Sequence, residues 1–484
     1  MKNFKIRLIL TLGILNILNS ALCQSHSQEL AKENATSSIL SANKQVDKLF
    51  AEWDNDHSPG ASVAIIKDET IIYSKGYGMA NLEYNIHNAP STIFGIASLS
   101  KQFTAFAILL LEKEGKLSLE DDVRKYIPEV PDFGITITLR NLAEHTSGLK
   151  EQNFLLRMSG LLFDDAITRN RVLNLITRQK ELNFVPGNEL SYSNTGFGLL
   201  AEVVARVSGV SFAEFTRTYI FEPLKMTSTL VNDTREGIIK NRASSYEYHA
   251  EGYENAILNY DIIGSTGVYT TVEDLSLWVK NFSNPIVGDA DLIKKMNTPT
   301  ILNNGETTNG ALGQFLGNYK GVNEISHSGK SAGFRAYLLR LPDLNFSVIV
   351  LANYGEIFVP DLAYKIADIY LEDQLVVQPE KETTDEIASS VPTSNDFSTS
   401  LSDFEGDYFS EELLASYTLK VVDNQLTVQN IRMDDIILNQ VKENVFSGNV
   451  WFFSTVEFKR DKNNLVTSCI VSGEGSNITI KKIN

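Results

Sequence analysis

Residues 96–118 read IASLSKQFTAFAILLLEKEGKLS. From Phe103 to Leu111 nearly every side chain is apolar, and a helix that is apolar all round is normally buried in a core. Ser98 stands at its start, and Lys101 follows three positions later on the same helical face. The helix start surrounds Ser98 with backbone N–H groups and the positive end of the dipole. Burial of Lys101 disfavours its charged form and lowers its pKa. A lysine so weakened can take a proton from a serine hydroxyl, or hold a neighbouring base deprotonated. A nucleophile is thus a physical reason to carry lysine into a core. The spacing alone is weak. Ser41-Ala42-Asn43-Lys44 has it too, in a polar stretch, and an N-capping serine beside a surface lysine gives the same letters.

Outward from this helix, residues 60–81 (GASVAIIKDETIIYSKGYGMAN) read as a β-hairpin turning at Lys67-Asp68-Glu69. Helical periodicity covers Ser98 to Lys116, Thr195–Val207 and Phe212–Ile220. Residues 321–355 (GVNEISHSGKSAGFRAYLLRLPDLNFSVIVLANYG) read as three successive strands, with turns near Ser331–Gly333 and Asp343–Leu344. A helix over about Pro360–Leu371 follows. Strands at both ends and helices between them predict an α/β (α+β) domain whose sheet joins the two ends of its chain. Residues 378–400 (QPEKETTDEIASSVPTSNDFSTS) are rich in Ser, Thr, Pro and acids and read as a linker, across which few contacts should pass. The remainder alternates in short β runs and predicts a small antiparallel barrel.

The boundaries expected are residues 1–23 as a signal peptide, 24–43 as a flexible lead, 44–372 as the main domain, 373–400 as the linker and 401–484 as the barrel. Lys2, Lys5 and Arg7 precede an apolar run from Leu8 to about Leu22, a length that suits a secretory signal better than a membrane span. The expected location is therefore the periplasm or the exterior. Attachment of lipid to Cys23 ranks second, because bulky Leu22 stands before the cysteine. No later segment reads as a membrane span. The 484 residues include only Cys23 and Cys469, so no disulfide framework or Cys/His zinc cluster is expected. A formal charge of −17 with no long basic run argues against nucleic acid as a partner.

Two further motifs accompany Ser98 and Lys101. Tyr192-Ser193-Asn194 follows a Pro186-Gly187 turn and precedes an apolar helix. A tyrosine there could carry a proton, and Asn194 could bind a carbonyl; a loop aromatic packing its ring would look the same. Tyr253-Glu254-Asn255 repeats the letters without those flanks. His327-Ser328-Gly329 lies on the first of the late strands, where glycine permits close backbone approach by a ligand, and where an edge histidine in a polar niche is the plainer reading.

Together and in this order, the three elements resemble the serine β-lactamase and penicillin-binding family, for which S-x-x-K is a signature. The resemblance runs from about Val46 to Leu371 and includes the phrases PGASVAIIKDETIIYSKGYGMAN, LRNLAEHTSGLKE, IFEPLKMTST and GSTGVYTTVEDLSLW. It is nearest the class C-type branch, which holds β-lactamases, D,D-carboxypeptidases, D-aminopeptidases and carboxylesterases. It implies a β-lactamase/transpeptidase-like antiparallel sheet flanked by helices, and the C-terminal segment resembles a lipocalin-like module. It further implies Ser98 as nucleophile, Lys101 as its partner, Tyr192 as general base, and Asn194, His327, Ser328, Gly329 and Lys330 as substrate-binding residues. Backbone N–H groups of Ser98 and Lys330 would form the oxyanion hole. His145 and Gly148 match a phrase taken as structural. His327-Ser328-Gly329 stands where class C β-lactamases carry Lys-Thr-Gly, and no acid is assignable as a class A type deacylation base. The expected function is exported hydrolysis of a small ester, amide or peptide through an acyl-enzyme, with no metal or organic cofactor. The alternatives are a true β-lactamase, and a penicillin-binding or catalytically silent binding protein.

Overall fold

A computed structural model describes residues 39–162, 164–375 and 400–483. The expected signal segment, Cys23 and most of the expected linker lie outside these residues. The first described helix, α1 (residues 39–49), takes in the end of the expected lead. The reason is a buried stripe: Ala42, Val46 and Phe50 recur every four residues and face the core.

The sheet is built from both ends of the main domain. Strands β1 (Ala61–Lys67) and β2 (Thr70–Tyr77) form the expected hairpin. Asp68 and Glu69 take positive φ at its turn, matching the right-handed twist of the strands. Five later strands complete it: β3 (Gly310–Ala311), β4 (Gln314–Tyr319), β5 (Val322–Ser331), β6 (Phe334–Leu341) and β7 (Phe346–Ala352). The order is β3-β4-β5-β6-β7-β1-β2, antiparallel throughout, with Ala61 opposite Ala352 where the two ends meet. Side chains alternate across β1 and β7. Val63, Ile65, Val348 and Val350 enter one apolar cluster, with α1 and α6 (Val359–Leu371). Ala64, Ile66, Ile349 and Leu351 enter another, with α2 (Lys101–Lys113) and α5 (Val272–Ser283). Both faces are covered, which is why β7 is buried at all seven positions.

The helix that opened the sequence argument is α2. Its residues from Lys101 to Leu109 are all buried. Trp278 of α5 packs tilted against Phe103 and edge-to-face against Phe106, and donates its indole N–H to Gln102 Oε1 at 2.9 Å. Two more helices frame the site: α3 (Gln152–Met158) and α4 (Asn194–Ser208). No single helix among the described residues is long and apolar enough to cross a membrane.

The C-terminal segment forms a closed eight-stranded barrel, β8 (Gly406–Ser410) to β15 (Ser476–Lys482), with β8 pairing back onto β15. The rings of Phe404, Tyr408, Phe446 and Phe458 pack together inside it, with centroids 4.4–6.2 Å apart. Contrary to the expectation of few contacts across the linker, the barrel docks broadly on the main domain. One apolar cluster runs through both. Lys150 Nζ donates to Asn477 O at 2.9 Å, Glu151 N to Ser476 Oγ at 2.8 Å, and Arg178 Nε to Glu412 O at 3.1 Å. Tyr417 donates its hydroxyl to Met158 O, and Arg432 pairs with Asp165 at 2.7 Å. Linker composition bears only on the connecting chain, whereas the contacts come from the barrel's own wall.

Candidate active site

Ser98 sits in a short turn, Ala97–Ser100, that leads directly into α2. Ala97 holds φ +48°, a left-handed conformation uncommon for a residue with a Cβ. The turn is tied down by Ile96 N to Val268 O at 3.0 Å and by Val268 N to Ser100 Oγ at 3.1 Å. Ser98 is half-buried and lines the cleft.

Lys101 is fully buried. Its ammonium donates to Ser98 Oγ at 3.0 Å, to Asn194 Oδ1 at 2.7 Å and to Ser265 O at 2.9 Å, so each of its three protons has an acceptor. Loss of hydration brings its pKa down to about 7, with the Glu151 carboxylate opposing the shift. Asn194 opens α4. Its backbone N–H and side-chain Nδ2 both donate to Glu151, at 2.6 and 2.8 Å. The carboxylate thereby turns the amide so that Oδ1 faces Lys101. The expected substrate ligand is thus engaged within the protein, as a bridge from Glu151 to the lysine.

Tyr192 lies over this group. Lys101 Nζ is 4.8 Å from its ring centroid, and the His145 ring stacks on it at 4.4 Å. Its side chain is exposed along the cleft. Burial pushes the phenol pKa up, and a hydrogen bond to Ser98 pulls the other way. The EHTSG loop holds the tyrosine loop in place: Ser193 N donates to His145 Nδ1 at 3.0 Å and Ser191 N to His145 O at 2.8 Å. Gly148 has φ +72°, and a Cβ there would lie 2.1 Å from Phe184 O.

The opposite wall is β5. Its pairing with β4 ends at Ser326, so the edge from His327 to Ser331 is open on that side, toward Ser98. Gly329 is required by the fold itself. A Cβ on it would lie 2.1 Å from Ile96 O, so the chain's own Ser98 turn comes close to it. His327 is buried, and its Nδ1 lies 2.6 Å from Ser328 O. Donation to that carbonyl puts the proton on Nδ1 and leaves the buried Nε2 as an acceptor without a partner. Burial, and then the charge of Lys101, lower its pKa to about 3, so His327 is uncharged at neutral pH. Ser328 and Lys330 are exposed on the cleft wall.

Two adjoining cavities, of about 700 and 730 Å³, meet at Ser98, Asn153, Asn194, Lys330 and Glu474. The larger is walled by Leu156, Ile257, Leu258 and Trp451. Glu474 and Trp451 belong to the barrel. Glu474 and Gly475 form the two-residue turn between β14 (Val466–Gly473) and β15, both at positive φ. Burial and the neighbouring Glu151 charge raise the Glu474 pKa. Sequence reasoning missed Glu151, Ser265, Trp451 and Glu474. Glu151 stood unremarked at the end of a phrase already quoted, and Gly473-Glu474-Gly475 marks a tight turn without marking where the barrel docks. Among the described residues no cluster of His, Cys, Asp and Glu is placed to hold a metal ion.

Comparison with known proteins agrees with this arrangement. The family model described as Beta-lactamase matches residues 46–370. Protein flp of Staphylococcus aureus (strain N315) is 30% identical over 334 residues, which are 66% of this chain and 64% of that protein. The match therefore spans less than two thirds of that relative's length. Penicillin-binding protein 4* of Bacillus subtilis (strain 168) is 31% identical over 333 residues, 65% of this chain and 72% of that protein. Among solved structures, the octameric penicillin-binding protein homologue from Pyrococcus abyssi is 25% identical with a TM-score of 0.60, covering 92% of this chain and all of the other. With a family match over most of the main domain and a buried lysine on the serine at the head of α2, the chain belongs to the β-lactamase family.

Proposed function

We propose that the protein is an exported serine hydrolase that opens an ester or amide bond through an acyl-enzyme on Ser98. The observation that carries this reading is the buried Lys101 ammonium 3.0 Å from Ser98 Oγ, with its pKa lowered to about 7. Near neutral pH a large share of Lys101 is free amine. It can take the hydroxyl proton as Oγ bonds to the substrate carbonyl. Tyr192, whose pKa burial raises, stays a phenol throughout: it is suited to relay to the leaving group the proton that Lys101 has taken, gaining one as it gives one. This moves the base role from Tyr192, where the family resemblance put it, to Lys101. The carbonyl oxygen turns toward the N–H groups of Ser98 and Lys330. The leaving group departs with a proton; water then attacks the acyl carbon, the acid is released, and Oγ regains its proton.

The walls favour substrates whose recognised end is not a carboxylate. His327 brings no positive charge, and the ammonium of Lys330 on the wall is outnumbered by the carboxylates of Glu151, Asp164, Glu247 and Glu474. The basic, then apolar, N-terminal segment supports export to the periplasm or beyond. A second reading is a penicillin-recognising protein that is acylated without turnover; the name of the Bacillus relative favours it. A panel of short acyl esters, D-amino-acid amides and a chromogenic cephalosporin separates these. Steady turnover of esters or amides with slow or absent cephalosporin hydrolysis is expected. A cephalosporin turned over much faster than any ester would make the protein a β-lactamase, and acylation with no product release would favour the second reading.

A further inference from the structure

Arg340 lies on β6 opposite Ile325 of β5, five residues along the strand from Arg335, which faces Lys330. It is thus about 17 Å along the sheet from the level of Lys330. The residue is almost entirely buried, at 5% exposure. Its guanidinium stacks on the Phe282 ring at 3.6 Å and donates Nη2 to Gln314 Oε1 at 2.7 Å. Among the described residues no carboxylate pairs with it, and its buried Nε has no hydrogen-bond partner. A buried arginine normally has both: an uncompensated charge taken out of water is costly, and so is an orphaned N–H. Burial brings the guanidinium pKa down to about 9, so the charge persists at neutral pH.

Beside Arg340 opens a cavity of about 280 Å³ that shares no residue with the Ser98 cleft. Lys280, Asn297, Asn345 and Ser347 supply polar groups to its wall. Val279, Phe282 and Phe346 supply an apolar side. Glu69 also lines it and lies 3.7 Å from Lys280, which offsets its charge. The wall thus offers an unpaired guanidinium, a lysine and several neutral polar groups next to apolar surface.

We propose that this cavity is a second ligand site, which binds a short-chain carboxylate. The carboxylate would accept from the Arg340 guanidinium where it lines the cavity, and its alkyl tail would lie against Val279, Phe282 and Phe346. The guanidinium fork suits a carboxylate in geometry as well as charge. The apolar side distinguishes such a ligand from chloride or inorganic phosphate. The proposal is independent of the chemistry assigned to Ser98.

Titration calorimetry on the full chain at fixed ionic strength tests it, with butyrate, acetate, phosphate and chloride as probes. Saturable butyrate binding is expected, on the order of tenfold tighter than acetate because two more methylenes are buried. Arg340→Met should abolish that binding while the protein stays folded, since methionine fills similar space without charge. A crystal of the unsubstituted protein soaked in 4-bromobutyrate gives a reading that does not depend on the variant: an anomalous bromine peak inside the cavity is expected, with the carboxylate at the Arg340 guanidinium. No saturable butyrate binding, equal binding to Arg340→Met, chloride binding as tightly as butyrate, or no bromine peak in the cavity would each overturn the assignment.

Discussion

Lys101 is worth keeping buried only if its proton can leave, and Glu151 governs when it does. The Glu151 carboxylate acts on the lysine by charge and through the Asn194 amide that it orients. As its charge raises the Lys101 pKa, removing it must lower that pKa further. In the wild type, kcat/KM should rise as pH climbs through about 7, where Lys101 loses its proton. In Glu151→Gln the rise should move to lower pH. Activity should fall on the order of 10–100-fold, because the amide that holds the lysine is less firmly placed. A pH–rate profile checks this, and a rise that moves upward or stays put would assign the acid limb to another group. His145 and His327 give no competing limb near 6.5, since burial lowers both. Ser98 and Lys101 were legible in the sequence because a charge inside an apolar run is conspicuous. Glu151 was not, because it comes from a different helix start and joins the lysine only through a bridging asparagine.

At the scale of elements, the site depends on how closely β5 runs past the Ser98 turn. Gly329 allows that approach, and any side chain there meets the backbone oxygen of Ile96. Gly329→Ala should push the strand away from the turn, cost about 1–3 kcal/mol in stability and impair acylation more than substrate binding. Urea denaturation together with single-turnover kinetics reads both effects. A variant as stable and as active as the wild type would show that the strand has room to spare. The strands themselves were readable: the turns expected near Ser331–Gly333 and Asp343–Leu344 fall between β5, β6 and β7 as observed. Alternation along β1 carried no such clarity, because both faces of the sheet are covered and its residues read as one apolar run. That Gly329 admits the Ser98 turn could not be read from the sequence, because its neighbour lies more than 200 residues earlier in the chain.

The barrel is part of the site at the scale of the whole molecule. Ser476 accepts from the Glu151 backbone, Trp451 walls the larger cavity, and Glu474 stands at the mouth. A chain ending at Asp373 would uncover Leu155, Leu156 and Met158 of α3, which lie in the apolar cluster shared with the barrel, and would free the start of that helix. Such a truncation should aggregate or melt well below the full chain, the opposite of what the linker composition alone suggests. Calorimetric melting of both chains decides it, and equal melting temperatures would show that the docking contributes little. The full chain is therefore the right object for the central test. It is mixed with a short acyl ester, quenched in acid during turnover, digested and analysed by mass spectrometry. The account predicts one acyl group, carried by the peptide that holds Ser98 and absent in Ser98→Ala. An acyl group on any other residue, or undiminished turnover in Ser98→Ala, would contradict it.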